Sequence, residues 1–481
     1  MGALRAVRNL IALAVGAAVV AGCTSPDDPG SSTQPGPGGD QPSEVDFAKQ
    51  PELVWTAAIT DIQPGERFLS PHRMAAMYEV ADAYEVDGTV IAAVREGPSV
   101  RLVGLNGDDG ALRWNVALEL EIPDQPQPAS DDPTLLVPVP QETTGITEVT
   151  CAAASLDGAL PCVISVFDTE AQTRTASIHY FTLSEGDVVE TVTADHADAV
   201  RVVDDTILTA GWAPEREDQD ISGTITIARG TVADPAADWI REYPIAGICF
   251  GSGDGFTLGA FGGFVHFSSV STVFVDADTG EPVVDGELSS ISELSADRFI
   301  GTRCEPSQLS PQQSPDRIAI VGDGTGQLLH EHPGLHSWNE PRIRTASDAP
   351  YIASYSVFDT STGEETWRLP AGDTSQVVAV TGETLIAFHD SVDERQTVGY
   401  DLHTGDERWR VRGDDFYQYE GADGTRVLGR GGADMNMVSA FDAASGEIVW
   451  SLEVPDGANL RIVSAGLLVA THEEIRYYAF D

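Results

Sequence analysis

A ten-residue pattern that returns at intervals of 41 and 42 residues constrains this chain more than any other feature. It is clearest in Phe358–Trp367 (FDTSTGEETW), Tyr400–Trp409 (YDLHTGDERW) and Phe441–Trp450 (FDAASGEIVW). In each copy an aspartate (Asp359, Asp401, Asp442) is followed four residues on by glycine (Gly363, Gly405, Gly446). Tryptophan (Trp367, Trp409, Trp450) comes four residues after that. Leu105–Trp114 is a looser copy that ends on Trp114. The spacing has a local cause. Alternating residues before the aspartate form a strand, and the carboxylate accepts turn amides. The Ser/Thr-Gly pair supplies the positive φ that closes a hairpin. The residues after glycine form the return strand, and its tryptophan is placed to dock on a neighbouring unit. A period near 40 built of short strands predicts propeller blades.

The pattern resembles the quinoprotein-type propeller repeat, whose consensus runs Ala-x-Asp-x-x-Thr-Gly-x-x-x-Trp. Weaker copies extend the resemblance. Val275–Gly280 keeps the turn but has Val284 where tryptophan is expected, and Val321–Gly326 keeps only Thr-Gly. Phe181–Asp187 keeps only Gly186, and Ile225–Trp239 keeps only the aromatic residue. The sequence stops at Tyr478-Ala479-Phe480-Asp481, the first half of a repeat, while Leu53-Val54-Trp55 is a second half without a beginning. The expected fold is therefore all-β: a closed propeller of four-stranded blades, with first and last strands sharing one blade. Such closure removes exposed sheet edges. Repeat anchors near 106, 182, 231, 276, 322, 359, 401, 442 and 481 make nine. The usual range ends at eight, so eight blades are expected, with seven as the alternative.

Residues 1–22 read as a secretory signal: Arg5 and Arg8 precede an apolar run, Leu10–Ala21, that is short for a membrane span. The cleavage site Val20-Ala21-Gly22-Cys23 resembles the bacterial lipobox, which implies a lipid on Cys23 and an extracytoplasmic, membrane-anchored protein. Residues 23–46 are rich in Ser, Pro, Gly, Asp and Gln, with little to bury, and read as a disordered tether. Residues 47–481 are the propeller. Four further cysteines, Cys151, Cys162, Cys249 and Cys304, fit an oxidising compartment. Of their three possible pairings, Cys151–Cys162 with Cys249–Cys304 is expected, because the first closes a hairpin-sized loop.

The chain carries 76 acidic against 27 basic residues, a net charge of −49, which argues against nucleic-acid binding. Lys49 is its one lysine. That scarcity, with the Ala/Gly/Arg-rich composition, suggests a high-GC genome, plausibly actinobacterial. Three imidazoles in His330-Glu331-His332-Pro333-Gly334-Leu335-His336 are a candidate zinc or copper site, since alternate strand residues share a face. Asp276 and Asp278 are spaced like the opening of a calcium loop, without the glutamate that ends one. The resemblance also implies the quinone-dependent alcohol dehydrogenases, which hold pyrroloquinoline quinone with calcium and often add a disulfide between adjacent cysteines. This sequence has no adjacent cysteines and no Cys-x-x-Cys-His. No catalytic residues and no cofactor are therefore assigned. The function expected is a propeller scaffold that binds other envelope proteins. A small-molecule, carbohydrate or metal-binding module is the alternative, and a quinone enzyme the third reading.

Overall fold

The computed structural model describes residues 45–480, apart from 63–64, 72–80, 98, 122–145, 169–172, 218–219, 247–248, 250–256, 270, 296, 306–315, 336–348, 371–373, 391–394, 413–414, 433–434 and 464. Cys23, the signal and all of the expected tether but Val45 and Asp46 thus lie outside the described residues. Val45 and Phe47 are both buried, and Asp46 receives Arg426 Nη1 at 3.1 Å, so the folded unit already includes Val45.

Among the described residues the architecture is a succession of antiparallel meanders with no α-helix. The strands fall into eight sheets, five of them four-stranded. In Thr374–Thr381, Thr384–Asp390, Arg395–Asp401 and Glu407–Arg412 each strand pairs with the next in sequence. The sheet from Gln418–Ala422 to Ile448–Glu453 follows the same plan. One seven-stranded sheet holds two meanders joined at a single pair, Thr272↔Leu288. It contains two repeat turns, at Asp276 and Asp323, so the repeat anchors outnumber the hydrogen-bonded sheets by one.

The first and last described strands share a sheet. Glu52–Ala58 pairs antiparallel with Glu474–Ala479, from Glu52↔Ala479 to Ala58↔Glu474. Trp55 stacks on Tyr477 at 5.7 Å. Trp450 donates its indole N–H to the Phe47 carbonyl at 2.8 Å, across 403 residues of sequence.

The turn chemistry follows the pattern. Asp442 Oδ1 accepts the amides of Ala444 and Ser445 at 3.1 and 2.9 Å, and the Gly446 amide donates to the Asp442 carbonyl at 2.8 Å. Gly446 has φ +71, and a Cβ there would meet the Trp409 ring at 2.6 Å. The glycine is therefore required twice, by the turn and by the tryptophan of the preceding sheet.

A second device is invisible in the motif. In seven outer strands the pairing slips by one residue immediately before the docking position. Gly399 faces Trp409 while Tyr400 faces Glu407, leaving Arg408 as the extra residue. Such a bulge re-aims the next side chain and bends the strand. Here it turns the ring into the space between adjacent sheets, where the core lies. One cluster joins Leu428, Val438 and Trp450 of one sheet to Leu460, Leu467 and Tyr478 of the next.

Candidate interaction surface

Six of the eight tryptophans are fasteners. The indole N–H groups of Trp367 and Trp409 donate to the carbonyls of Leu402 and Ala443 on the next sheet, at 2.9 and 2.8 Å. Trp55 and Trp114 donate likewise to Gly107 and Leu183, at 2.7 and 2.8 Å. Trp239 does the same to Ala277 at 3.2 Å. Each ring also lies on the glycine that closes that turn, Gly405 under Trp367 and Gly110 under Trp55 among them.

His330 belongs to the same series. It faces Val321 just after the bulge, as Trp409 faces Gly399. Its Nε2 donates to the Thr360 carbonyl at 3.1 Å, and its ring lies over Gly363. The signal was present in the sequence, because His330 follows Gly326 by the same four residues. His332 points to a different partner: its Nε2 is 2.7 Å from the Tyr351 hydroxyl, and its ring is 4.2 Å from that of Phe358. Burial, with neighbouring His330, holds its pKa below the ordinary histidine value. His336 lies outside the described residues. The rings of His330 and His332 are 6.5 Å apart, and each makes a hydrogen bond to a protein partner. Among the described residues no group of three or more His, Cys, Asp or Glu is placed to hold a metal ion. Asp276 Oδ1 accepts from the Thr279 amide and hydroxyl at 2.9 and 2.8 Å, as a repeat turn does without an ion.

The cysteines pair as Cys151–Cys162 and Cys249–Cys304. The first bond links two directly opposed residues of neighbouring strands. The second ties the segment before Thr257–Phe261 to Arg298–Glu305.

With docks and turns consumed internally, the outer strands remain as candidate contact surface. Among the described residues each has one side without a partner strand. They are of two kinds. On Glu407–Arg412 and Glu365–Arg368 the residues are charged and paired, Arg410 with Glu407 and Arg368 with Glu365, both at 2.7 Å. Arg408 reaches back to Asp401 at 2.5 Å, which holds the aspartate carboxyl down at about 2. Paired charges of this kind protect an edge from chance strand pairing. Other outer strands expose aliphatic pairs: Leu53 and Val54, Ile448 and Val449, Val188 and Val189. The last strand is the most open, since five of the six residues of Val188–Thr193 are exposed. Its docking position holds Glu190, which follows Gly186 by four residues and faces Tyr180 after the bulge. Among the described residues Glu190 forms no ion pair. Tyr180 is buried, its hydroxyl has no partner among the described residues, and burial, with the Glu190 charge, pushes the phenol pKa up. In the sequence this copy keeps only Gly186 of the motif, and Glu190 is marked by nothing more than its four-residue distance from that glycine.

Residues 353–480 match the family described as "Outer membrane protein assembly factor BamB". No curated protein matches the chain. Among solved structures, BamB from Moraxella catarrhalis is 12% identical, over 89% of this chain and 100% of that one, with a TM-score of 0.28. A europium-containing methanol dehydrogenase is 10% identical over 90% and 99%, with a TM-score of 0.38. The quinohemoprotein alcohol dehydrogenase from Comamonas testosteroni is 11% identical over 89% and 76%, with a TM-score of 0.39. The meanders, their fasteners and the family match over 353–480 support a β-propeller of PQQ-like repeats.

Proposed function

We propose that the chain is a lipid-anchored, extracytoplasmic propeller that acts as a protein-interaction scaffold in the cell envelope. The observation that carries this reading is the pair of exposed aliphatic residues on several open outer strands, on a framework whose docking tryptophans and turn carboxylates are already occupied. Exposed apolar groups beside unpaired backbone edges are a recognised basis for polypeptide binding. The assembly-factor match of 353–480 supports the same class. The Cys23 lipobox and the disulfides support the compartment. Pairing of the first and last strands supports a closed ring.

The test is site-specific photo-cross-linking from Val189, Val54 and Val449 in the intact lipoprotein in its native membrane. One partner captured reproducibly from these positions, and lost when the neighbouring aliphatic is changed to aspartate, is the expected result. Absence of any specific partner sinks the scaffold reading. Dye-linked alcohol oxidation on adding pyrroloquinoline quinone and calcium would replace it with the dehydrogenase.

A further inference from the structure

The junction between sheet 418–453 and the sheet of the first and last described strands receives its tryptophan in a different way from the others. At five junctions the acceptor is built alike. Leu402, Ala443, Ala277, Leu183 and Gly107 each follow the first residue of a hairpin turn, and each gives its carbonyl to a tryptophan of the preceding sheet. Each also sends its own amide to the inner hairpin of its sheet, Leu402 to Glu383 and Ala443 to Thr425 at 2.9 and 3.0 Å. By register Phe480 holds this position in the last sheet. Gly466 faces Ala479, and the Phe480 amide donates to the Ala465 carbonyl at 3.1 Å. Trp450 instead donates to Phe47, which belongs to neither sheet.

Residues 45–50 are held as a bound peptide is. Sheet 418–453 meets both backbone groups of Phe47: Asp423 Oδ2 accepts its amide at 2.9 Å, and the Trp450 indole N–H donates to its carbonyl at 2.8 Å. The Phe47 ring is buried 5.3 Å from that of Phe480, and a Cβ on Gly421 would lie 3.9 Å from it. Asp46 pairs with Arg426 at 3.1 Å, and the Gln50 side-chain amide donates to the Ser451 carbonyl at 3.1 Å. The pairing of Glu52–Ala58 with Glu474–Ala479 begins beyond Pro51 and uses none of these residues. The segment can therefore leave while the strands stay paired. Trp450 then has an acceptor waiting in the Phe480 carbonyl, at the position the five other tryptophans use.

We propose that the groove between these two sheets is a peptide-binding site, filled here by the chain's own Val45–Gln50. From a partner it takes an extended segment with an aromatic residue directly after a carboxylate, as Phe47 follows Asp46. This rests on the scaffold reading and names the chemistry of its partner. Asp423 and Trp450 bond the backbone of one residue whatever its side chain, the ring pocket selects an aromatic, and Arg426 selects the acid before it. The tethered segment is present at high effective concentration, so a partner must outcompete it.

The experiment titrates the full-length lipoprotein in nanodiscs with a fluorescent Val-Asp-Phe-Ala-Lys-Gln peptide. The control peptide has alanine in place of phenylalanine. Wild type should bind the first peptide weakly and Phe47→Ala roughly tenfold more tightly, because the competitor in the chain has lost its ring. Adding Trp450→Phe, which keeps a ring and removes the N–H, should lose most of that gain. The control peptide should bind neither protein. Native-state hydrogen exchange reads the same exchange without a substitution. The Phe47 amide should exchange roughly tenfold faster than those of Leu402 and Ala443, since the segment opens while the sheets remain closed. Should Phe47→Ala not fold, that wild-type comparison decides alone. Equal affinity of wild type and Phe47→Ala, equal affinity of the two peptides, or a Phe47 amide as protected as that of Leu402 overturns the proposal. Wild-type dimers that dissociate on adding the peptide would give the groove to a second copy of the chain and overturn the partner assignment. Cross-linking separates the two levels. A partner captured in the cross-linking test while the peptide series fails removes the groove and leaves the scaffold. Peptide binding with no partner captured removes the scaffold and leaves the groove.

Discussion

The sheets at 374–453 and the sheet at 146–193 share a plan and differ in what they put at the docking position. Both use four-strand meanders, and both slip register by one residue at the start of the outer strand. In the first region that slip delivers Trp409 and Trp450 onto the next unit, and on Glu407–Arg412 the edge outside them is sealed by ion pairs. In the second it delivers Glu190, and the edge outside it is aliphatic and open. Backbone geometry and docking chemistry are therefore separable. The bulge decides where a side chain goes, and the residue placed there decides whether that junction is a seal or a surface.

The sharpest way to break this comparison is Trp409→Ala. It removes a buried ring and an inter-sheet hydrogen bond, with an expected loss of about 3–5 kcal/mol, readable by denaturant unfolding. A loss below about 1 kcal/mol would mean that the fasteners do not hold the sheets together. His330→Ala tests whether an imidazole fastens in the same way. It should cost about 1–2 kcal/mol, from one hydrogen bond and a smaller ring, and added zinc should not change that. A stabilisation by zinc that disappears in the variant would restore a metal role to this histidine.

The third test concerns pH. The Arg408 guanidinium and the turn amides lower the Asp401 carboxyl to about 2. Because the folded value is depressed, its contribution is fully present above the unfolded carboxyl value. It is lost as pH falls from that value through about 2. Asp401→Asn should cost on the order of 1 kcal/mol near neutrality, after allowance for solvent screening, and flatten the acid limb of the stability curve. An unchanged acid limb would leave the ion pair without a stabilising role. The smallest effect expected is a gain. Glu190→Trp should convert the open junction toward the sealed type and raise stability by up to about 1 kcal/mol. A loss of stability would show that the sheet following Val188–Thr193 has no room for a dock.

The three strong motif copies made the strand order within a meander legible, because turn, glycine and return strand are encoded within ten residues. The docking role of Trp367, Trp409 and Trp450 followed from the same spacing. His330 and Glu190 were equally marked by their distance from Gly326 and Gly186, yet neither is a tryptophan. The cluster His330-Glu331-His332 suggested a metal because strand alternation puts both rings on one face. The structure gives each ring its own partner on a neighbouring strand or sheet, and those partners, Thr360 and Tyr351, are not adjacent in the sequence.

By itself, then, the sequence determined the local units: the turns, the positive-φ glycines, the short strands and the acidic, cysteine-bearing character of the chain. These depend on residues within hydrogen-bonding reach along the backbone. Tertiary structure decided what each outer strand meets. It set Phe47 as acceptor for Trp450, gave His330 the Thr360 carbonyl on the next sheet, and paired Glu190 with Tyr180. Those outcomes depend on pairing register and on packing between sheets, where one bulged residue redirects a side chain and no local pattern records its destination.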